Sequence, residues 1–220
     1  MGTGHKIIDL AHWARREHYE FFRAFGYPFF SITSPIDVMP LYKALKERGV
    51  SFSIGLVYVL ARAANAVPQF RQRIRDEGPI EHEVVHPGLT ILCEGNTFRF
   101  SFLPYSPAFD RFAKEAAEAI EMTRRSEGLI PRSIAERSSI NDMLYMTSLP
   151  WFSFTGMVHP MSLDPSDSVP RIAWGRFENR DKKLVMALNV QAHHSLIDGF
   201  HIAEFIKKVE GLIATLDSTL

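Results

Sequence analysis

Leu184-Val185-Met186-Ala187-Leu188-Asn189-Val190-Gln191-Ala192-His193-His194-Ser195-Leu196-Ile197-Asp198-Gly199-Phe200-His201 is the stretch on which the fold turns. Its first half, Lys183 to Ala192, is a strand rich in Leu, Val and Met, broken only by Asn189 and Gln191. It delivers two histidines into a turn, after which Gly199 to Ile213 reads as a helix. Neighbouring residues on a strand point to opposite faces, so only one of His193 and His194 can enter a given cavity.

Outward from this run, helices and strands are mixed without regular alternation. Ala11 to Phe25 reads as a helix with Asp9 as a cap, and Phe29 to Asp37 as a strand ending in a turn. Asp37 to Arg48 reads as a helix closed by Gly49. Ser53 to Val67 is a mostly apolar helix, broken by Arg62 and Asn65, stopped before Pro68 and buried on most of its surface. Strand character follows at Val84-Val85, Leu89 to Cys93 and Thr97 to Leu103. In the last, Phe98, Phe100 and Phe102 alternate with Thr97, Arg99 and Ser101, as in a half-buried strand. Pro107 to Arg125 is a helix, and 126–141 a loop with a short helix. Further strands are expected at Asp142 to Met146, Trp151 to Val158 and Arg171 to Phe177, with Met161 to Pro170 as a loop. There is no repeat, low-complexity tract or Gly/Ser linker. The reading is one α+β domain over residues 1–220, a large mixed sheet flanked by helices.

Composition excludes several classes. The 25 basic and 25 acidic residues balance to a formal charge of zero, against a nucleic-acid or membrane-surface partner. No apolar run approaches the roughly 18 residues that cross a bilayer. The opening Met1-Gly2-Thr3-Gly4-His5-Lys6 lacks the apolar region of a signal peptide, and the single cysteine, Cys93, suits a reducing compartment, so the expectation is a cytoplasmic protein. Seventeen phenylalanines suit a well-filled core, or an aromatic ligand cavity with few polar groups.

Histidine is the side chain best suited to proton transfer near neutral pH, which makes the pair at the strand end a candidate base. A structural pair is the competing reading. His193, His194, Asp198 and His201 are also possible metal ligands, but no cysteine or second carboxylate lies close by, so no metal is expected.

The run Gln191 to His201 resembles the active-site signature of chloramphenicol acetyltransferases, within the wider group of CoA-dependent acyltransferases that share His-His-x-x-x-Asp-Gly. Trp13-Ala14-Arg15-Arg16-Glu17-His18-Tyr19-Glu20, Phe30-Ser31-Ile32-Thr33-Ser34-Pro35-Ile36-Asp37, Pro104-Tyr105-Ser106 and Leu149-Pro150-Trp151-Phe152-Ser153-Phe154 are similar to that family's other segments, in the same order. The resemblance therefore covers essentially the whole chain, and it implies the family's fold.

The resemblance further implies a transfer of acetyl from acetyl-CoA, as co-substrate, to a hydroxyl of a small acceptor, nominally chloramphenicol. His194 is then the general base and His193 its non-catalytic neighbour. Asp198 forms a buried ion pair with Arg15 that props the site wall. The oxyanion donor is Thr147, where the family has serine, with Ser148 next door as the alternative. Phe22, Phe30 and Phe98, with Trp151, line the acceptor site, and Arg176 approaches the CoA phosphates. A homotrimer is implied, with His194 facing the pocket of the neighbouring chain. Two positions depart from the pattern: Phe22 stands where a tyrosine is usual, and Ala173 where a threonine is common. They motivate a second reading, the same chemistry on a different hydroxyl acceptor. A third is a non-catalytic relative that binds a ligand. A dihydrolipoyl acyltransferase core is disfavoured because no lipoyl segment or linker is seen, and a condensation domain because it is about twice as long.

Overall fold

The computed structural model describes residues 4–135, 141–162, 164 and 166–220. In chain order the elements are β1 (His5–Ile7), α1 (Arg16–Arg23), β2 (Phe29–Asp37), α2 (Met39–Glu47), α3 (Phe52–Asn65), β3 (Gln72–Arg75), β4 (Gly78–His82), β5 (His86–Leu92), β6 (Phe98–Phe102), α4 (Phe109–Arg125), α5 (Arg132–Ala135), β7 (Met143–Leu149), β8 (Arg171–Gly175), β9 (Glu178–Arg180), β10 (Lys183–His193), α6 (Gly199–Ala214) and α7 (Leu216–Thr219). The main sheet runs β2-β10-β8-β7-β5-β6, with β9 pairing the start of β10. It is mixed: β5, β7 and β8 are parallel, the other pairs antiparallel. A small sheet, β1-β4-β3, stands apart from it.

One face of the main sheet carries the core. Leu89, Ile91, Leu144, Met146, Ile172, Trp174, Leu188, Val190 and Ala192 pack with the helices, and Leu56 to Ala61 of α3 are wholly buried against them. Burial of this order, at about 25 cal/mol per Å², is the main driving force for folding. The α+β reading with a large mixed sheet holds, as does the mostly buried helix.

Three local expectations are revised, and one choice that the sequence left open is decided. The helix expected from Ala11 is split: Asp9 caps only a 3-10 turn, Leu10–His12, by accepting from Ala11 N at 2.9 Å. Trp13 is then extended, and α1 begins after Arg15. Val84-Val85 is not a strand, because Val85 N and O bond the side chain of Asn65, which takes the place of a neighbouring strand. Trp151 to Val158 is not a strand either. Phe152 O accepts from Arg176 N, and Met157 O accepts from the side chains of Ser31 and Asn189. On β6 the buried residue is Ser101, which accepts from Thr123 Oγ1, while Phe98 is 47% exposed. The phenylalanine side of that strand faces away from the core. The part of the expected loop at 136–140, and positions 163 and 165 of the next, lie outside the described residues.

Candidate active site

The ladder of β10 runs one bond past His193, since His194 N donates to Pro28 O at 2.7 Å. Alternation then separates the two histidines. His193 turns to the face opposite the core, is 3% exposed, and accepts from Ser195 N through Nδ1. Burial pushes its pKa down to about 4, so it is neutral near pH 7. His194 continues the face of Val190 and Ala192.

The His194 ring lies flat on Phe22, with centroids 4.0 Å apart and planes at 2°, and Phe30 leans on it at 4.5 Å. Its Nδ1 is sealed from solvent without a partner. Nε2 is therefore the nitrogen left to meet a ligand. The phenyl faces fix the imidazole plane as hydrogen bonds fix it in other sites, and aromatic pairs of this kind contribute about 0.5–1.5 kcal/mol.

Arg15, in the bend before α1, holds this end together. Its guanidinium donates to Asp198 Oδ2 at 2.5 Å, to His194 O at 2.9 Å and to Ser195 O at 3.2 Å. The pair is only partly buried: the side chains are 11% and 29% exposed. Arg15 thus holds His194 through that residue's carbonyl as well as through Asp198. Asp198 also caps α6, accepting from Phe200 N, while His201 Nδ1 takes Asp198 N at 3.1 Å. Burial alone would raise the Asp198 carboxyl. The hydrogen bond and charge of Arg15, with His201, outweigh it and hold the group below its ordinary value. Asp198 and His201 are thereby committed to the turn, and no cluster among the described residues could hold a metal ion.

Thr147 lies elsewhere. It pairs with Ala173, which pairs with Asn189, so all three share the face opposite the core. Thr147 lines a cleft of about 390 Å³ with Thr90, Phe98, Phe100, Tyr145 and His159 among its walls. Its hydroxyl has Thr90 Oγ1 at 3.5 Å, too far for a strong bond, and is free to turn to a ligand. Ser148 pairs with Trp174 on the core face and does not reach the cleft. From Asn189 to His194 the chain climbs about 16 Å, and two strand spacings add about 10 Å across. With opposite faces as well, His194 and Thr147 of one chain stand well apart.

The remaining residues fall into the same division. Phe22 and Phe30 stand with His194, and Phe98 stands at the mouth of the Thr147 cleft. Trp151, 57% exposed, follows β7, where Phe152 O accepts from the backbone of Arg176. Trp151 and Arg176 therefore share one end of the sheet, outside the cleft. Tyr145, His159 and Arg171, all cleft-lining, were not singled out by sequence reasoning. The signal for Tyr145 and Arg171 was available in strand parity with Thr147 and Ala173. His159 carried none, because it fell between the strand expected to end at Val158 and the loop expected from Met161.

The model of the family described as chloramphenicol acetyltransferase matches residues 3–210. Chloramphenicol acetyltransferase 3 of Escherichia coli is 30% identical over 206 residues, 93% of this chain and 95% of that one. The chloramphenicol acetyltransferase of Streptomyces acrimycini is 31% identical, over 94% and 93% of the two chains. A solved chloramphenicol acetyltransferase superposes with a TM-score of 0.89 at 29% identity, over 96% of this chain and all of that one. The truncated catalytic core of a 2-oxoacid dehydrogenase complex from Thermoplasma acidophilum shares the fold, with a TM-score of 0.67 at 16% identity.

Proposed function

Since the chain belongs to the chloramphenicol acetyltransferase family and is an acyltransferase, we propose that it moves acetyl from acetyl-CoA to a hydroxyl of a small acceptor, with chloramphenicol the first substrate to test. The observation that carries this reading is the pair of separate, complementary half-sites: an oriented imidazole on one face, and a hydroxyl in an apolar cleft on the other.

His194 Nε2 takes the proton of the acceptor hydroxyl as its oxygen attacks the thioester carbonyl. The tetrahedral oxyanion receives the Thr147 hydroxyl proton in a hydrogen bond. Collapse breaks the carbon–sulfur bond, and the imidazolium returns the proton to the departing thiolate. Acceptor oxygen is the nucleophile, so no covalent enzyme intermediate forms. Arg15 and Asp198 hold the base, and Arg176 with Trp151 would meet the CoA end.

Because His194 and Thr147 of one chain stand apart, the working site would lie between copies, and the family resemblance makes that assembly a homotrimer. The exposed Phe21, Phe25, Tyr27, Trp151 and Val158 are apolar surface that such an assembly would cover. No helix among the described residues is long and apolar enough to cross a membrane, which suits a cytoplasmic enzyme. The second reading, another hydroxyl acceptor, is favoured by Phe22: it gives the base a hydrocarbon face with no hydroxyl to engage the acceptor.

Purified protein with acetyl-CoA and chloramphenicol should release CoA thiol and yield the acetyl ester. Thiol release no faster than in buffer, with chloramphenicol and across a panel of hydroxyl acceptors, would overturn acetyl transfer. Release with other acceptors alone would select the second reading.

A further inference from the structure

The loop that takes the chain from the end of β10 to the start of α6 runs from His194 to Asp198. Inside it, Leu196 N and Ile197 N both donate to His193 O. The N–H groups on either side of them donate to imidazoles instead. Ser195 N reaches His193 Nδ1 at 3.2 Å, and Asp198 N reaches His201 Nδ1 at 3.1 Å. His194 thus stands in a loop fastened near each end by a histidine ring. His201, the third residue of α6, has no part in the acyl-transfer step.

The His201 side chain is 12% exposed, and Phe200 meets its ring edge-on at 5.7 Å. Burial is the largest influence on its pKa and lowers it; the charge of Arg15 acts in the same sense, against Asp198 and Glu204. The ring is therefore neutral near pH 7. With hydrogen on Nε2, the lone pair of Nδ1 meets the Asp198 N–H. Asp198 Oδ1 lies 2.9 Å from the same nitrogen, but a hydrogen there would leave the Asp198 N–H facing a second donor. That oxygen already accepts from Phe200 N. Glutamate or glutamine is the usual residue at this place in a capping box. A glutamate here would set a second negative charge beside Asp198 and compete for Arg15. Neutral histidine supplies the acceptor without that charge.

What the ring holds is the orientation of Asp198, whose Oδ2 takes the Arg15 guanidinium, which in turn takes the His194 carbonyl. We propose that His201 is a positioning residue for His194: by accepting the Asp198 N–H it sets the turn that presents the carboxylate to Arg15, and so fixes the His194 ring. Without the acceptor a part-buried N–H is left unpaired and the turn is freed. Misplacing a reacting group costs rate more than it costs affinity. That His194 is a base rests on the acetyl-transfer reading; the hold on its loop does not.

The test compares His201→Leu, which removes the acceptor, with His201→Gln, whose amide oxygen keeps one. In His201→Leu, kcat should fall by about 10-fold with KM within about two-fold, and His201→Gln should recover most of the loss. An unchanged kcat, a rise in KM alone, or a His201→Gln protein no better than His201→Leu overturns the proposal. The second readout needs no turnover: proton–nitrogen spectra of the rings in protein labelled with 15N-histidine, at pH 7. His201 should carry its hydrogen on Nε2, and the His194 ring signals should shift in His201→Leu and return in His201→Gln. Hydrogen on His201 Nδ1, or His194 signals that His201→Leu leaves in place, overturns the proposal. If no acceptor is turned over, acetyl transfer fails alone, and the His194 signals still decide this inference. Turnover with unmoved His194 signals does the reverse. Melting curves identify a His201→Leu protein that fails to fold. The test then rests on the ring spectra and on His201→Gln, where a loss of 10-fold or more counts against the proposal.

Discussion

His194 is held on every side by its own chain, stacked on Phe22, flanked by Phe30 and pinned through its carbonyl by Arg15. Thr147 opens instead onto a cleft of about 390 Å³, and its nearest polar neighbour is a threonine 3.5 Å away. The base end is preorganised by interactions that one chain completes. The Thr147 end is an open cleft that contains no part of the His194 end. On the proposed reading this contrast has a reason: a proton-transfer group needs a fixed geometry before substrate arrives, while an acceptor site needs room.

Removing the group that defines the base end has the largest expected effect. His194→Ala should lower kcat by about 10²–10⁴ while Tm moves little, because the ring is half-buried and its Nδ1 makes no hydrogen bond. A steady-state rate within 10-fold of the unmodified protein would assign the base elsewhere. At the donor end, Thr147→Val keeps shape and loses the hydroxyl, and kcat should fall by about 10²–10³ with KM nearly unchanged. Ser148→Ala is its control: set on the core face, it should stay within a few-fold, and a loss equal to that of Thr147→Val would reverse the assignment.

Next comes the support of the base. Asp198→Ala removes both the partner of Arg15 and the cap of α6. Stability should drop by about 2–4 kcal/mol, less than for a fully buried pair because Asp198 is 29% exposed. Denaturant unfolding measures it, and an unchanged midpoint would mean that the three carbonyl and carboxylate bonds of Arg15 are not coupled.

The smallest effect concerns pH. His193 and His82 are buried neutral, with pKa values pushed down mainly by burial to about 4 and about 3. Their contribution is complete above the unfolded value near 6.5 and is lost as pH falls toward the folded values, so Tm should decline progressively below pH 6.5. Asp198, with its lowered pKa, adds a loss only below about pH 4. His193→Phe should flatten the upper part of this decline; a profile identical to that of the unmodified protein would remove His193 as a contributor.

Much of this division was legible in the sequence. The apolar strand ending in His193-His194 and the helix after it appear as read, because strand periodicity, a turn and a long apolar helix are local properties. The role of Arg15 came from the resemblance of its surrounding segment. Its bonds to two carbonyls did not, since they depend on a bend at Trp13 that helical spacing alone hides. Trp151 to Val158 misled because its backbone bonds go to the backbone of Arg176 and to the side chains of Ser31 and Asn189, far away in sequence. With that segment unplaced, His159 could not be seen in the cleft. Phe98 was found, but the face it occupies was decided by burial of Ser101, a choice that alternation leaves open.

The separation of base and donor is tested most directly by mixing two inactive variants. His194→Ala and Thr147→Val subunits, each alone reduced by 10²-fold or more, are unfolded together in equal amounts and refolded. If His194 of one copy serves Thr147 of the next, a random cyclic assembly contains both intact groups at about a quarter of its sites, and about a quarter of the original activity returns. If each chain used its own His194 and Thr147, no site in the mixture would be complete. Activity that stays at the sum of the two variants would contradict a shared site.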